Sequence, residues 1–146
     1  MNHKAHMIAG ASTGTVISLF LLNYESTENA LAGGFAVFLG SEFPDLDTGS
    51  IPSRVAARVG FLAGIVLIYF GFPLYAAIIG CIYMAVKAQP HRGITHSYLL
   101  PIICFVLARL VFPQYSVMIT CFGIGLIVHN IIDHRNPANP RNWLPI

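Results

Sequence analysis

Apolar and polar positions divide the chain into six apolar runs, over about 7–22, 29–43, 55–70, 73–87, 98–112 and 115–132, with short polar interruptions between them. Each run is roughly 15–18 residues, a little short of the ~20 that a perpendicular helix needs to cross a bilayer core. Flanking residues, local thinning and snorkelling make up such a difference. The uncharged stretch from Val59 to Val86 is too long for one span. Gly71-Phe72-Pro73 within it predicts a tight turn between two helices, and Phe112-Pro113-Gln114 predicts a second. The pattern predicts an all-α fold: a polytopic membrane helical bundle of about six short transmembrane or membrane-embedded helices, forming a single domain over 1–146. Glycines inside the runs suit close helix packing in lipid, and Gly10–Gly14 and Gly60–Gly64 have small-xxx-small spacing.

Composition strengthens the membrane reading. The chain is 55% hydrophobic and 10% charged, with mean hydropathy +0.69, whereas soluble domains carry about 25% charged residues. A net charge of +2 supplies no basic stripe, so no nucleic-acid partner is expected. Membrane lipids are the expected surroundings. Cys81, Cys104 and Cys121 lie far apart in apolar runs and read as small buried hydrophobes. Lys4, the run from Met7 to Leu22 and Ala30-Leu31-Ala32 loosely imitate a signal peptide. The polar stretch Asn23–Asn29 separates that cleavage-like site from the run, and a retained helix is expected.

The charges that do occur are unevenly placed. The N-terminus, 44–54, 88–97 and the tail after 132 form one set of alternate connections, bordered by Lys4, Arg54, Arg58, Lys87, Arg92, Arg135 and Arg141. The other set, 23–28, 71–72 and 113–114, holds Glu25 and Glu28 and no Lys or Arg. The positive-inside rule puts the first set, with both termini, in the cytoplasm. Arg109, near the other end of its run, is left to snorkel or to face the bundle interior.

Four of the six histidines, His6, His91, His96 and His129, and all three aspartates fall in four short clusters in or beside that first set. His129 and Asp133, four apart on a helix, share a face within reach of one metal. In His91-Arg92-Gly93-Ile94-Thr95-His96-Ser97, Gly93 allows a bend between two histidines, and Thr95 or Ser97 is placed to cap the following helix. Arg92 suits a phosphate or carboxylate through paired hydrogen bonds. Pro44-Asp45-Leu46-Asp47 projects two carboxylates from a loop, with Glu42 just before it, and His6 lies one turn inside the first helix. Ionisable residues near a bilayer are costly and usually functional. The expected ligand set is His6, Asp45, Asp47, His91, His96, His129 and Asp133, enough for one divalent ion, or for two if an aspartate bridges. Zinc is the first expectation. A donor set without thiolates favours an open catalytic site over a closed structural one.

These residues, from His6 through Pro44-Asp45-Leu46-Asp47 and the 91–97 string to His129-x-x-x-Asp133, resemble the YdjM-type family of bacterial inner-membrane proteins assigned as metal-dependent hydrolases. The resemblance runs from His6 to about Pro137. It implies a helical membrane protein with a hydrolytic metal site. The chain departs from the family pattern at Thr48, where relatives carry a His, and at Asn136, where relatives carry a Thr before Pro137. A more distant likeness is to zinc-dependent phospholipase C and its nuclease relatives, which are all-helical and use a His-x-x-x-Asp helix. It points toward phosphoesters by analogy of fold alone.

The expected function is therefore a metal-dependent hydrolase at the cytoplasmic face of the inner membrane. Metal-activated water would attack a phosphoester or related bond, in a lipid or lipid-linked substrate, with Arg92 and His91 as catalytic residues. The alternatives are a non-catalytic metal-binding or transport protein, which needs its ligands near mid-membrane, and a membrane interaction protein.

Overall fold

The computed structural model describes residues 3–47, 49–88, 93–133, 135, 138, 139, 142 and 143, and the side chains of His3, Asp47 and Pro52 lie outside that description. Six helices follow the six apolar runs: α1 (His3–Leu21), α2 (Thr27–Glu42), α3 (Ile51–Tyr69), α4 (Pro73–Lys87), α5 (Leu99–Leu110) and α6 (Ser116–Ile132). No strand occurs among the described residues. Short 3-10 turns occupy Phe43–Asp47, Ile94–His96 and Pro113–Tyr115.

Local chemistry sets the ends of these helices. Ser26 caps α2, its hydroxyl oxygen accepting from Asn29 N at 3.2 Å, and Ser50 caps α3 by accepting from Ser53 N at 3.3 Å. Such caps satisfy amides that the first helical turn leaves without partners. Gly71 stands at φ 81° between α3 and α4, a left-handed conformation that costs a side-chain-bearing residue far more than glycine. Pro73 then opens α4, where its missing N–H costs nothing. Neither Thr95 nor Ser97 caps α5, contrary to the sequence expectation. The cap position falls on Tyr98, which makes no side-chain cap bond, and the Ser97 hydroxyl instead donates back to Ile94 O at 2.7 Å.

The chain divides into two compact units, Met1–Pro44 with Arg92–Ile146, and Asp45–His91. In the first, α1 packs on α2, α2 on α6 and α6 on α5, with a further contact between α1 and α6. Short connections make the packed pairs α1–α2 and α5–α6 antiparallel. The start of α1, the end of α2, the turn before α5 and the end of α6 therefore share one end of this unit. Its close contacts run through glycine. A side chain on Gly125 would strike the Val37 carbonyl, one on Gly40 the Phe122 carbonyl, and one on Gly10 the Ser41 side chain. Past α6, the Tyr98 hydroxyl donates to Arg135 O at 2.7 Å, and Tyr98 N donates to Asn142 O at 3.0 Å. In the second unit α3 packs on α4. A side chain on Gly64 would meet nothing within 4 Å beyond its own helix backbone, and one on Gly60 would meet Ile79 at 3.9 Å. The Gly60–Gly64 spacing therefore makes no close helix contact among the described residues, while Gly14 abuts the Gly34 backbone.

The distribution of side chains reverses the order of a soluble core. Ala30, Val37, Cys104, Ala108, Cys121 and Leu126 are buried, together with His6, Ser41, Thr95, His96, Ser97, His129 and Asn130. The large apolar residues lie outside: Ile8 67%, Phe35 60%, Phe61 70% and Leu110 78% exposed. Exposed apolar side chains in such number suit contact with lipid or protein, and small residues at helix contacts are what lipid-embedded bundles use. Cys81 is exposed, contrary to its reading as a buried hydrophobe. Arg109 is exposed as well, which leaves it free to snorkel.

One helical stretch among the described residues, Pro113–Ile132, is long and apolar enough to cross a membrane by length and composition. Pro73–Lys87 and Leu99–Leu110 are apolar but shorter. The six-helix count of the sequence reading stands, and six full spans do not follow from it. Among the described residues α2, α4 and α5 have 16, 15 and 12 residues, short of a full span, and α1 carries Lys4, His6, Thr13, Thr15 and Ser18 among its apolar residues.

Candidate metal centre

At the shared end of the first unit, three imidazoles surround one carboxylate. Asp133 is the residue on which α6 stops. Its Oδ1 lies 3.2 Å from His6 Nε2 on α1. Its Oδ2 lies 3.7 Å from His129 Nε2, one turn back on α6, and 4.0 Å from His96 Nε2 in the turn before α5. The His6 and His129 rings stack with centroids 4.3 Å apart, and His96 meets His129 edge-on at 5.1 Å. Ligands held ~2.0–2.2 Å from a common ion stand about 3.0–3.6 Å from one another, so these separations lie within about half an ångström of a coordination shell. One donor atom from each of His6, His129 and Asp133 falls within 4.8 Å of the others.

Burial and charge point the same way. His6 is 2% exposed, His96 and His129 are 0%, and the Asp133 side chain is 6% exposed. Asp133 Oδ2 makes no hydrogen bond among the described residues, and an uncompensated buried carboxylate oxygen is expensive. Three protonated rings would bring three positive charges against one negative charge, and neutral rings present lone pairs instead. Burial pushes the Asp133 carboxyl up, but a hydrogen bond from His6 and the charges of His129, His6 and His96 outweigh it and hold it at about 2. The carboxylate is therefore ionised across the physiological range, as a metal ligand must be.

The tautomer of His129 follows from its partner. Its Nδ1 lies 2.7 Å from the Ser41 carbonyl oxygen. A carbonyl can only accept, so Nδ1 carries a proton, and in the neutral ring Nε2 keeps its lone pair on the side of Asp133. A ring held by its second nitrogen in this way is the usual arrangement behind metal-binding histidines. Ser41 reaches this position because α2 and α6 approach through Gly40 and Gly125. Sequence reasoning passed over Ser41, since a backbone carbonyl leaves no mark in the residue type. It also passed over Asn130, fully buried beside His129, although a polar residue inside an apolar helix is a legible signal.

The expected ligands divide as follows. His6, His96, His129 and Asp133 are brought together. Asp45 opens the second unit as a buried carboxylate, with Ser50 Oγ donating to its backbone oxygen at 2.8 Å. The backbone of Asp47 closes the turn Phe43–Asp47, and its side chain lies outside the described residues. So do His91 and Arg92, both expected catalytic residues, and the departures Thr48 and Asn136.

The whole chain, residues 1–146, matches the model of one family, described as YdjM inner membrane protein. The chain belongs to the YdjM inner membrane protein family. This agrees with the resemblance drawn from the His and Asp motifs, and with the apolar exterior. No curated protein and no solved structure matches the chain. Membership of the YdjM family therefore establishes an inner-membrane helical protein, and the chemistry of the centre has to be argued from its own residues.

Proposed function

We propose that this YdjM-family protein is a metal-dependent hydrolase acting on a phosphoester or related bond at the cytoplasmic face of the inner membrane. The observation that carries the reading is the convergence of His6, His96 and His129 on the buried Asp133 carboxylate. All four are hard or borderline donors, the set that divalent zinc takes in catalytic sites. A divalent ion held by His6, His96, His129 and Asp133 would supply Lewis-acid chemistry there, lowering the pKa of water and polarising an ester oxygen.

The protein's own groups have separate tasks. Asp133 contributes the negative charge that makes the pocket attractive to a cation. His129 is held in the ligating tautomer by Ser41. His6 ties the start of α1 to the end of α6. Asp45 and Asp47 enter the proposal through their sequence motif, as further oxygen donors. His91 and Arg92 enter through theirs, Arg92 as the cation that offsets developing charge on a phosphoryl group. The positive-inside rule supports cytoplasmic termini and a cytoplasmic site, with the six helices embedded in the membrane. A transport role is less well supported, because the donors gather at helix ends, whereas carriers place them near the midplane.

The test is hydrolysis of phosphoester substrates, water-soluble and lipid-borne, by protein purified in detergent, before and after metal removal. Activity that disappears with chelation, returns with zinc and is absent from His129→Ala and Asp133→Ala supports the proposal. Activity unchanged by chelation and by both variants contradicts it. A protein that binds metal but hydrolyses neither substrate class would be a non-catalytic metal binder.

A further inference from the structure

Two imidazoles of the centre are steadied through Nδ1, by different kinds of group. His129 donates to the backbone carbonyl of Ser41, which no substitution removes. His96 Nδ1 lies 3.3 Å from the hydroxyl oxygen of Thr95, which a substitution can remove. Thr95 is 2% exposed and His96 0%, so water does not readily replace this contact. The turn that carries both is tied to α6, where Asn130 Nδ2 donates to Ser97 O over 3.5 Å. With Nδ1 facing Thr95, His96 Nε2 faces Asp133, 4.0 Å from Oδ2.

A histidine ligates through the ring nitrogen that does not hold the proton, and the hydrogen bond made by the other nitrogen decides which one that is. We infer that Thr95 is a positioning residue for His96: its Oγ1 accepts Nδ1–H and keeps Nε2 bare toward Asp133 and His129. The inference rests on the metal-centre reading and extends it to a residue that touches neither ion nor substrate. A hydroxyl, unlike a carbonyl, can also donate, so the tautomer of His96 is the direct test of this assignment.

The experiment measures zinc affinity by chelator competition on the full chain in detergent, for the wild type, Thr95→Val and Thr95→Ser, with nitrogen-15 NMR of the histidine side chains. Valine keeps the shape of threonine and removes the acceptor; serine keeps the acceptor. The expected result is zinc binding about 10–100-fold weaker in Thr95→Val, the usual effect of losing such an outer partner, with Thr95→Ser close to wild type. Unchanged helical circular dichroism and elution of Thr95→Val would assign the loss to the centre. In the wild type, His96 should carry its proton on Nδ1. Equal affinity of Thr95→Val and wild type, or a proton on Nε2, overturns the inference. If Thr95→Val does not fold, the wild-type tautomer decides alone. A wild type that binds no zinc overturns the metal-centre reading itself, and the tautomer measurement still judges the role of Thr95.

Discussion

At the residue scale the centre turns on one carboxylate. Asp133 is the common neighbour of His6, His96 and His129, so its replacement removes both a donor and the charge that balances the ion. Asp133→Asn should weaken zinc binding by far more than Thr95→Val, as read by chelator competition, while leaving helicity intact. The pH dependence follows from the same residues. Asp133 stays ionised down to about 2, so metal release on acidification should follow protonation of the histidines rather than of the carboxylate. Metal content measured across pH reads this directly, and a midpoint below pH ~4 would contradict it. In the metal-free protein the sign is that of a depressed carboxyl. Its contribution to stability is present above the ordinary value of 3.8 and is lost as pH falls through about 2. The ligand types were legible in the sequence, because histidine and aspartate stand out in an apolar chain. The i, i+4 spacing placed His129 beside Asp133 correctly, but no spacing could bring His6 and His96 to them. Only the packing of α1 and of the 94–96 turn against α6 does that.

At the element scale, α2 and α6 meet backbone to backbone, and that approach is what lets the Ser41 carbonyl reach His129. Gly125→Ala would drive a methyl group into the Val37 carbonyl, and a helix backbone cannot yield as a flexible side chain does. The expected cost is about 1–3 kcal/mol, typical of overpacking, read as a lower Tm in detergent together with weaker zinc binding. Gly64→Ala is the control. Its surroundings are open, and alanine gains up to ~1 kcal/mol in helix propensity, so stability should hold or rise and zinc binding should not change. Sequence reasoning found the helices because their apolar runs are bounded by Gly, Pro and Ser at the right places. It did not separate the glycines that pack, such as Gly125, from those that do not, such as Gly64. Spacing along one helix does not reveal which face another helix covers. It also gave Ser97 a capping role that the hydroxyl spends instead on Ile94 O.

At the scale of the whole molecule, small and polar residues sit inside and large apolar ones outside, the arrangement expected of an inner-membrane family. Among the described residues one stretch, Pro113–Ile132, has the length and apolarity of a full span, so the proposed topology calls for its own measurement. Reporter fusions placed after the C-terminal residues should report the cytoplasm, and a reporter inserted at Gly71 should report the opposite side. A cytoplasmic signal from the Gly71 insertion would overturn the alternation of connections on which the topology rests. The central claim is tested most directly by the metal content of the purified protein. Detergent-solubilised wild type, analysed by elemental mass spectrometry without added metal, should carry about one divalent ion per chain or more, and Asp133→Ala should carry close to none. A wild type with no stoichiometric metal, or an Asp133→Ala variant that retains the wild-type amount, would contradict it.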